Sequence, residues 1–346
     1  MDVITVVGGG IAGLALAAHL DPGRFHVTVH ERREVPASVE TSLAMWPEAQ
    51  RALDAVGILP GVLAAGSDFG GMALRDGSGN VLLEGRAAGV VGVSRADLLR
   101  LLEAALPGTV VRAHGEVASL PGESLVVGAD GVHSIVRRSI WGERAAARPS
   151  PYVALRGIIK APVPPGGGGE YWGRGQLFGI TPASRGRTYW YASYRSVPGP
   201  GGIDVEEALE HTRARYSGRA AGIDCVLAAA VPAETLAQRV WTVPYPGSYQ
   251  RDGAVLVGDA AHGMTPNLGR GACEALVDAV TLADLLNARP PGEALPAYNR
   301  QRLLRSQALR VASSAMARVA LAEGTQPLRD GLLRLAGRGR GAAAGR

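Results

Sequence analysis

Glycines 8, 10 and 13 form a Gly-x-Gly-x-x-Gly run, and a carboxylate follows at Glu31. This combination suits a dinucleotide. Gly8 permits a tight turn, Gly10 lets backbone N–H groups approach a pyrophosphate, and Gly13 lets a helix lie close on a strand. Ile11 and Ala12 complete the turn, so the helix opens with free N–H groups facing the phosphates. Glu31 stands about 20 residues further on, where it can accept from ribose hydroxyls. A free 2′-hydroxyl there favours FAD or NAD over NADP, although Arg32 and Arg33 blur the distinction. Two later clusters raise the same kind of question. One is Asp130-Gly131 in "LVVGADGVHSIVRRSI"; the other runs from Asp259 through Pro266 to Gly269-Arg270-Gly271. An acid directly after an apolar Leu-Val-Gly is out of place unless it faces something polar.

The elements that must position these residues alternate strand and helix. "VITVVG" is a β-branched run expected of a strand buried on both faces, "LALAAHL" reads as a helix, and "HVTVHE" reads as a second strand. Another apolar strand breaks at Gly128 into Asp130-Gly131 and a basic helix. Beyond Gly271, Ala272, Ala275, Leu276, Ala279, Ala283 and Leu286 recur at helical spacing, anchoring that helix in a core. The pattern predicts an α/β fold, a Rossmann-like domain with a parallel sheet. "YVALRGIIKA", "GQLFGITPA" and "RTYWYASYRS" predict a mainly antiparallel second sheet, with the glycines at 166–169 as a flexible loop. Period two puts Tyr189, Tyr191 and Ser193 on one face of the third of these strands and Trp190 and Tyr194 on the other. One face should line a pocket; a single sequence leaves open which. The division predicted is 1–66, 93–148 and 245–290 for the cofactor, 67–92 and 149–244 for the substrate, 291–330 as C-terminal helices and 331–346 as a flexible tail.

Composition narrows the function classes. The 346 residues are 47% hydrophobic, enough for a large core. Of the net charge of +5, four units lie in the acid-free stretch from Gly331 onward, so the body is near neutral and carries no nucleic-acid stripe. Two cysteines, Cys225 and Cys273, make no disulfide framework, and no Cys/His spacing indicates a metal. The N-terminus lacks the positive segment of a secretory signal. No apolar run is long enough to span a bilayer, so a cytoplasmic protein without stable membrane association is expected, as a monomer or homodimer.

Taken in order, Gly-x-Gly-x-x-Gly, "GADGVHSIVR" and "GDAAHGMTPNLGRG" resemble the single-component flavin-dependent aromatic hydroxylases, a family that includes para-hydroxybenzoate, salicylate and urate hydroxylases. The resemblance covers nearly the whole chain and includes "SLAMWPEAQRALDAVGI", "VSRADLLRLL" and "YWGRGQLFGITP". It implies FAD as cofactor, NADH or NADPH as transient reductant, and a small aromatic substrate hydroxylated with O₂ through a flavin C4a-hydroperoxide. It also implies that Asp259 bonds the ribityl chain, that Arg95 lies near ribityl and pyrophosphate, and that Asp130 serves FAD and the nicotinamide cofactor. Pro266, Gly269, Arg270, Gly271 and Ala272 would then pass along the isoalloxazine, with a helix N-terminus at the flavin N1–C2=O edge. His262 is expected to brace this turn rather than act as an acid or base. The pocket candidates are Arg156, Tyr171, Gln176 and Tyr191. Epoxidation by the same flavin chemistry, or an FAD-binding sensor without monooxygenase activity, remain the alternatives.

Three departures from the family pattern stand out. Arg270 replaces a usual glutamine, and with no acid in the adjacent loop it is expected to reach solvent or an anionic ligand. Cys273 stands where asparagine is frequent. The stretch between Arg95 and Asp130 is short and predicts a trimmed surface hairpin.

Overall fold

A computed structural model describes residues 1–33, 39–86, 89–117, 120, 125–196 and 202–343. From the N-terminus the elements are β1 (Asp2–Val7), α1 (Ile11–His19), β2 (Phe25–Glu31), β3 (Ser42–Met45), α2 (Pro47–Ala55) and α3 (Leu59–Ala65). There follow β4 (Ser67–Asp68), β5 (Gly71–Asp76), β6 (Val81–Arg86), β7 (Val91–Ser94), α4 (Arg95–Ala104), β8 (Val111–His114), β9 (Leu125–Gly128) and α5 (Ile135–Trp141). The central part holds β10 (Arg148–Ile159), β11 (Gly169–Gly173), β12 (Gln176–Ala183), β13 (Arg187–Arg195), α6 (Val205–Tyr216), α7 (Ala221–Ala229) and β14 (Thr235–Thr242). The chain closes with β15 (Gln250–Arg251), β16 (Ala254–Leu256), α8 (Asp259–His262), α9 (Gly271–Ala288), α10 (Pro291–Ala320) and α11 (Gln326–Ala343).

A six-stranded sheet runs in the order β15-β16-β9-β1-β2-β8 and is parallel except for β15. Ile4, Val6, Val127, Val255 and Leu256 are fully or nearly fully buried, as a sheet covered on both faces requires. This order places the ends of β1, β9 and β16 side by side, and with them the three loops that carry the glycine and aspartate motifs. A seven-stranded sheet, β14-β10-β13-β12-β11-β5-β6, takes β5 and β6 from the 71–86 segment. Its pairings are antiparallel apart from β11 with β5. Leu155, Phe178 and Trp190 point to the face covered by α6 and α7, where they meet Leu209, Tyr216 and Val226. On the opposite face Trp172, Leu177 and Tyr191 pack with Ala320 and Leu321 at the end of α10 and with Leu333 of α11. A third, small sheet joins β3, β7 and β4.

Two expectations change. The stretch 331–343 is not a flexible tail but the body of α11. Leu333 packs near Trp172, Arg334 donates to Asp76 at 2.6 Å, and Arg329 donates to the Trp172 carbonyl at 2.8 Å. Residues 344–346 lie outside the described residues. The predicted hairpin before Asp130 is also corrected: β8 pairs in parallel with β2 at the sheet edge, because Thr28–Glu31 offers it an open strand. Residues 118–119 and 121–124 of that stretch lie outside the described residues. No helix among the described residues is long and apolar enough to cross a membrane. None of their His, Cys, Asp and Glu side chains form a group of three able to hold a metal ion.

Candidate FAD and substrate site

The first loop behaves as its glycines require. Gly8 takes a φ of +109°, and a side chain there would strike the Ala129 carbonyl at 2.4 Å, so the β1 and β9 loops touch. A Cβ on Gly13 would sit 2.0 Å from the Gly8 oxygen, which is how closely α1 lies on the strand end. Gly10 has no other atom within 4 Å of its Cβ position, leaving the start of α1 open to a ligand. Buried Ile11 and Ala12 form the first turn, whose N–H groups have no partners within the helix. Glu31 closes the loop from behind, accepting from Gly9 N and Arg33 N at 2.9 Å each. Arg32 is exposed beside it. Asp130 caps α5 by accepting from Ile135 N at 2.7 Å and Val136 N at 3.2 Å, while its other oxygen has no partner within the chain. Burial raises its pKa against the pull of those bonds. Arg137, in contrast, is spent on structure: fully buried, it donates to the carbonyls of Ala145, Ala260 and Val132.

The second half of the cleft is built around Asp259. The turn at Gly258 is pressed between Ala12 and Ala275, joining α1, α8 and α9 at one point. Asp259 is exposed in the cleft, and its Oδ1 lies 3.8 Å from the Cβ position of Gly271, at the N-terminus of α9. Between them, Pro266–Leu268 makes a short 3₁₀ turn that Gly269 reverses with a φ of +60°, a conformation glycine adopts without penalty. Gly269 has open space around it, and Gly271 and Ala272 open the 18-residue α9 with unpaired N–H groups. Arg95, first residue of α4, is solvent-accessible yet walled in: the surrounding protein lowers its pKa, Asp259 opposes the fall, and Arg156 and Arg33 add to it. The groove, lined by glycine, therefore offers donors from two helix N-termini and an arginine, and acceptors from carboxylate oxygens. It fits a flavin dinucleotide: α1 would hold the phosphates, Glu31 and Asp259 would accept from sugar and ribityl hydroxyls, and the N-terminus of α9 would meet the ring edge.

Under this groove runs a chain of buried charges. His262 is inaccessible, and its Nε2 lies 2.6 Å from Asp278, which also accepts from Gly258 N and from Arg302. Arg302 reaches Glu274 at 2.6 Å. Glu274 in turn meets Arg270, which also approaches Glu48 and lies over the Trp46 ring at 5.3 Å. His262 thus braces the Asp259 turn. The expectation for Arg270 is corrected: its acids come from α2 and from one turn along α9, so it faces neither bulk solvent nor a ligand alone. The i,i+4 spacing of Arg270 and Glu274 was a usable signal. Trp46 and Glu48 lie in the "SLAMWPEAQRALDAVGI" stretch, but at 222 positions from Arg270 no local spacing links Glu48 to it. Cys273 is buried, donates to the Ala44 carbonyl at 3.1 Å, and has its pKa pushed up to about 11 by burial.

The seven-stranded sheet supplies the facing wall. Arg156 and Tyr191 are cross-strand partners on the face toward Arg95, and Tyr189 joins them with its ring 5.7 Å from that of Tyr191. Tyr171 and Gln176 are corrected: they share the other face with Phe178. Tyr171 is buried there and donates to the Gly167 carbonyl at 2.8 Å, and Gln176 lies against Gly173. Strand period alone fixes which residues share a face, not which face meets the groove. Glu170, one residue before Tyr171 and so on the groove side, was overlooked. The Tyr191 hydroxyl donates to it at 2.6 Å and the Trp172 indole at 2.8 Å, while burial raises its pKa.

The sequence profile of the FAD binding domain family matches residues 1–313. The chain belongs to that family. This FAD-binding chain is 30% identical over 334 residues to "Aurachin C monooxygenase/isomerase" of Stigmatella aurantiaca, covering 89% of this chain and 85% of the relative. It is 32% identical over 341 residues to "3-amino-4-hydroxybenzoate 2-monooxygenase" of Streptomyces cremeus, covering 88% and 84%. Its fold matches the crystal structure of Klebsiella pneumoniae HpxO complexed with FAD and uric acid, with a TM-score of 0.86, 24% identity and coverage of 96% and 92%.

Two predictions concern how the FAD-binding chain uses this groove. Asp259→Ala should weaken FAD roughly ten- to a hundredfold if a charge-assisted bond to a ribityl hydroxyl is lost. Flavin retained per protein after dialysis reads this, and unchanged occupancy would mean that Asp259 faces something else. Arg270→Gln should leave FAD bound and cost about 1 kcal/mol, because two ion pairs at 3.4 Å and a cation–π contact are lost while Glu274 keeps Arg302. Thermal unfolding together with the flavin-to-protein absorbance ratio checks both halves; loss of FAD would assign Arg270 to the ligand instead.

Proposed function

We propose that the chain is an FAD-dependent monooxygenase that uses NADH or NADPH and O₂ to hydroxylate a small, electron-rich aromatic substrate. What supports this reading is the family match over residues 1–313 together with Arg95, whose charge couples both to Asp259 in the groove and to Arg156 of the seven-stranded sheet. A ring bound beside Arg156 and its cross-strand partner Tyr191 would then lie near the flavin. Bound FAD supplies the redox and oxygen-activating chemistry. The chain supplies what surrounds it. The N–H groups opening α9 stabilise negative charge at the ring edge, by up to about 2 kcal/mol in a partly buried setting. Arg95 and Arg156 add positive potential to the cleft, and the apolar sheet behind Tyr191 keeps water out. The reductant docks transiently, since the sequence holds one Gly-x-Gly-x-x-Gly fingerprint with its strand, helix and acid. Residues 1–66, 93–148 and 245–290 bind FAD in this reading, and 67–92 with 149–244 bind the substrate.

The test is NAD(P)H oxidation by the yellow protein across a panel of phenolic and amino-aromatic compounds, with product analysis. At least one compound should accelerate oxidation and yield a hydroxylated ring. Oxidation unaffected by every aromatic compound would favour an FAD-binding sensor, and an epoxide product would move the substrate outside the aromatics.

A further inference from the structure

A cavity of about 330 Å³ lies between the β5–β6 turn, the β11–β12 turn, the chain just after α6 and one side of α11. It shares no residue with the cofactor groove. Its volume is at the small end of ligand sites, which run from roughly 300 to 1,000 Å³. The two turns meet where both line it: a Cβ on Gly77 would lie 3.1 Å from Gly173 Cα. Gly175 N donates to the Ala322 carbonyl at 3.2 Å, which pins the β11–β12 turn to the α10–α11 connection.

Charge decides what such a cavity can hold. Its lining includes two acids, Asp76 and Asp330, and three arginines, Arg174, Arg219 and Arg334. Both acids are spent on neighbours. Asp76 accepts from Ser78 N at 2.9 Å, from Asn80 N at 3.0 Å and from Arg334 at 2.6 Å. Asp330 accepts from Gln326 and from Arg329 Nε at 2.8 Å. Arg174 and Arg219 make no ion pair among the described residues, and Glu323, which packs against Gly175, pairs with neither. Arg219 Nε donates to the Arg215 carbonyl at 2.8 Å, so its stem is steered while both terminal nitrogens remain for a ligand. With Arg334 matched to Asp76 and Arg329 to Asp330, two positive charges are left over around one small cavity. A guanidinium only donates, in a fork that suits the paired oxygens of an oxyanion.

We propose that this cavity binds a dianionic phosphate group, free or carried on a small ester, with Arg174 and Arg219 as its charge partners and the Ser78 hydroxyl as a further donor. Arg334 keeps Asp76 and adds positive potential from the α11 side. The bound group would tie the β11–β12 turn to α11 through charge. Arg174 and Arg219 are exposed, so the mouth is open and the rest of an ester can trail into solvent. The site stands apart from flavin chemistry and does not depend on which compound the groove takes.

The experiment titrates FAD-loaded protein with inorganic phosphate, ribose 5-phosphate and malonate in separate calorimetric runs, at constant ionic strength set with chloride. One phosphate group should bind per chain and raise the melting temperature. Tighter binding of ribose 5-phosphate would assign the site to an ester, and tighter binding of inorganic phosphate to the free ion. Arg174→Gln and Arg219→Gln should each weaken binding about tenfold, the scale of one charge-assisted hydrogen bond, and the double variant should abolish it. Arg174→Lys should recover part of the affinity, because the charge returns without the fork. FAD content should stay that of the wild type in every variant. No binding of either phosphate, binding that survives the double substitution, or malonate binding more tightly than both phosphates overturns the proposal.

Discussion

Asp278→Ala should destabilise the protein by about 3–5 kcal/mol, the scale of a buried ion pair that loses one partner. Asp278 is inaccessible and holds three donors at once, His262, Arg302 and Gly258 N. Removing it leaves the Arg302 guanidinium with Glu274 alone and the Gly258 N–H with nothing, directly under the Asp259 turn. Unfolding of the holoprotein, followed by far-UV circular dichroism and flavin fluorescence, reads the loss, and FAD release should precede global unfolding. A variant within about 1 kcal/mol of wild type would show that the cluster adds little net stability, as some buried ion pairs do.

The same cluster gives stability a pH profile. Burial opposes the charged form of Asp278, but His262 and Arg302 outweigh it and its pKa is lowered. For His262, burial is likewise outweighed by the Asp278 charge, and its pKa is raised. The aspartate contribution is present above its unfolded pKa of about 3.9 and disappears as pH falls through the lower folded value. The histidine contribution is complete below about 6.5 and disappears as pH rises through the higher folded value. Wild type should therefore lose stability on the alkaline side of about 6.5, and Asp278→Asn should flatten that slope.

What the sequence displayed and what it hid have a common cause. Gly8, Gly13, Asp130 and Gly269 were legible because each meets a local backbone demand: a turn, a close approach or a helix cap. Parallel pairing of β1, β9 and β16 then brings the three loops together without further information. Arg270 was misjudged because Glu48 stands 222 positions away and only tertiary packing brings it near. Tyr171 and Gln176 were misplaced for a different reason: alternation divides a strand into two sets but carries no sign, and the sign here is set by where α6 and α7 dock. Glu170 escaped notice because its bond to Tyr191 depends on register across three strands, with Gly179 in the middle. The basic C-terminal segment looked unstructured by composition, yet Leu333 and Arg334 tie α11 to the sheet.

Gly13→Ala should abolish FAD binding, and the reasoning sets two effects against each other. Alanine inside α1 gains about 1 kcal/mol of helix propensity over glycine. Against this, the new Cβ would sit 2.0 Å from the Gly8 oxygen and 3.1 Å from Val6 Cγ1. The Gly8 oxygen cannot swing aside like a flexible side chain. Gly8 N is held by His30 O at 2.8 Å, and its own Cβ position is already against Ala129. Relief requires α1 to lift from β1, and overpacking of this kind costs about 1–3 kcal/mol or more. Lifting α1 also moves the first-turn N–H groups that face the phosphates and the Ala12 contact that seats Gly258, so both halves of the cleft are disturbed together. Gly10→Ala is the control. No atom beyond its chain neighbours lies within 4 Å of that Cβ position and its φ of −84° suits alanine, so the protein should fold normally while FAD binds more weakly. Flavin content and melting temperature of the two purified variants distinguish them. If Gly13→Ala keeps one flavin per chain and melts like wild type, the close approach of α1 to β1 is not what holds the cofactor.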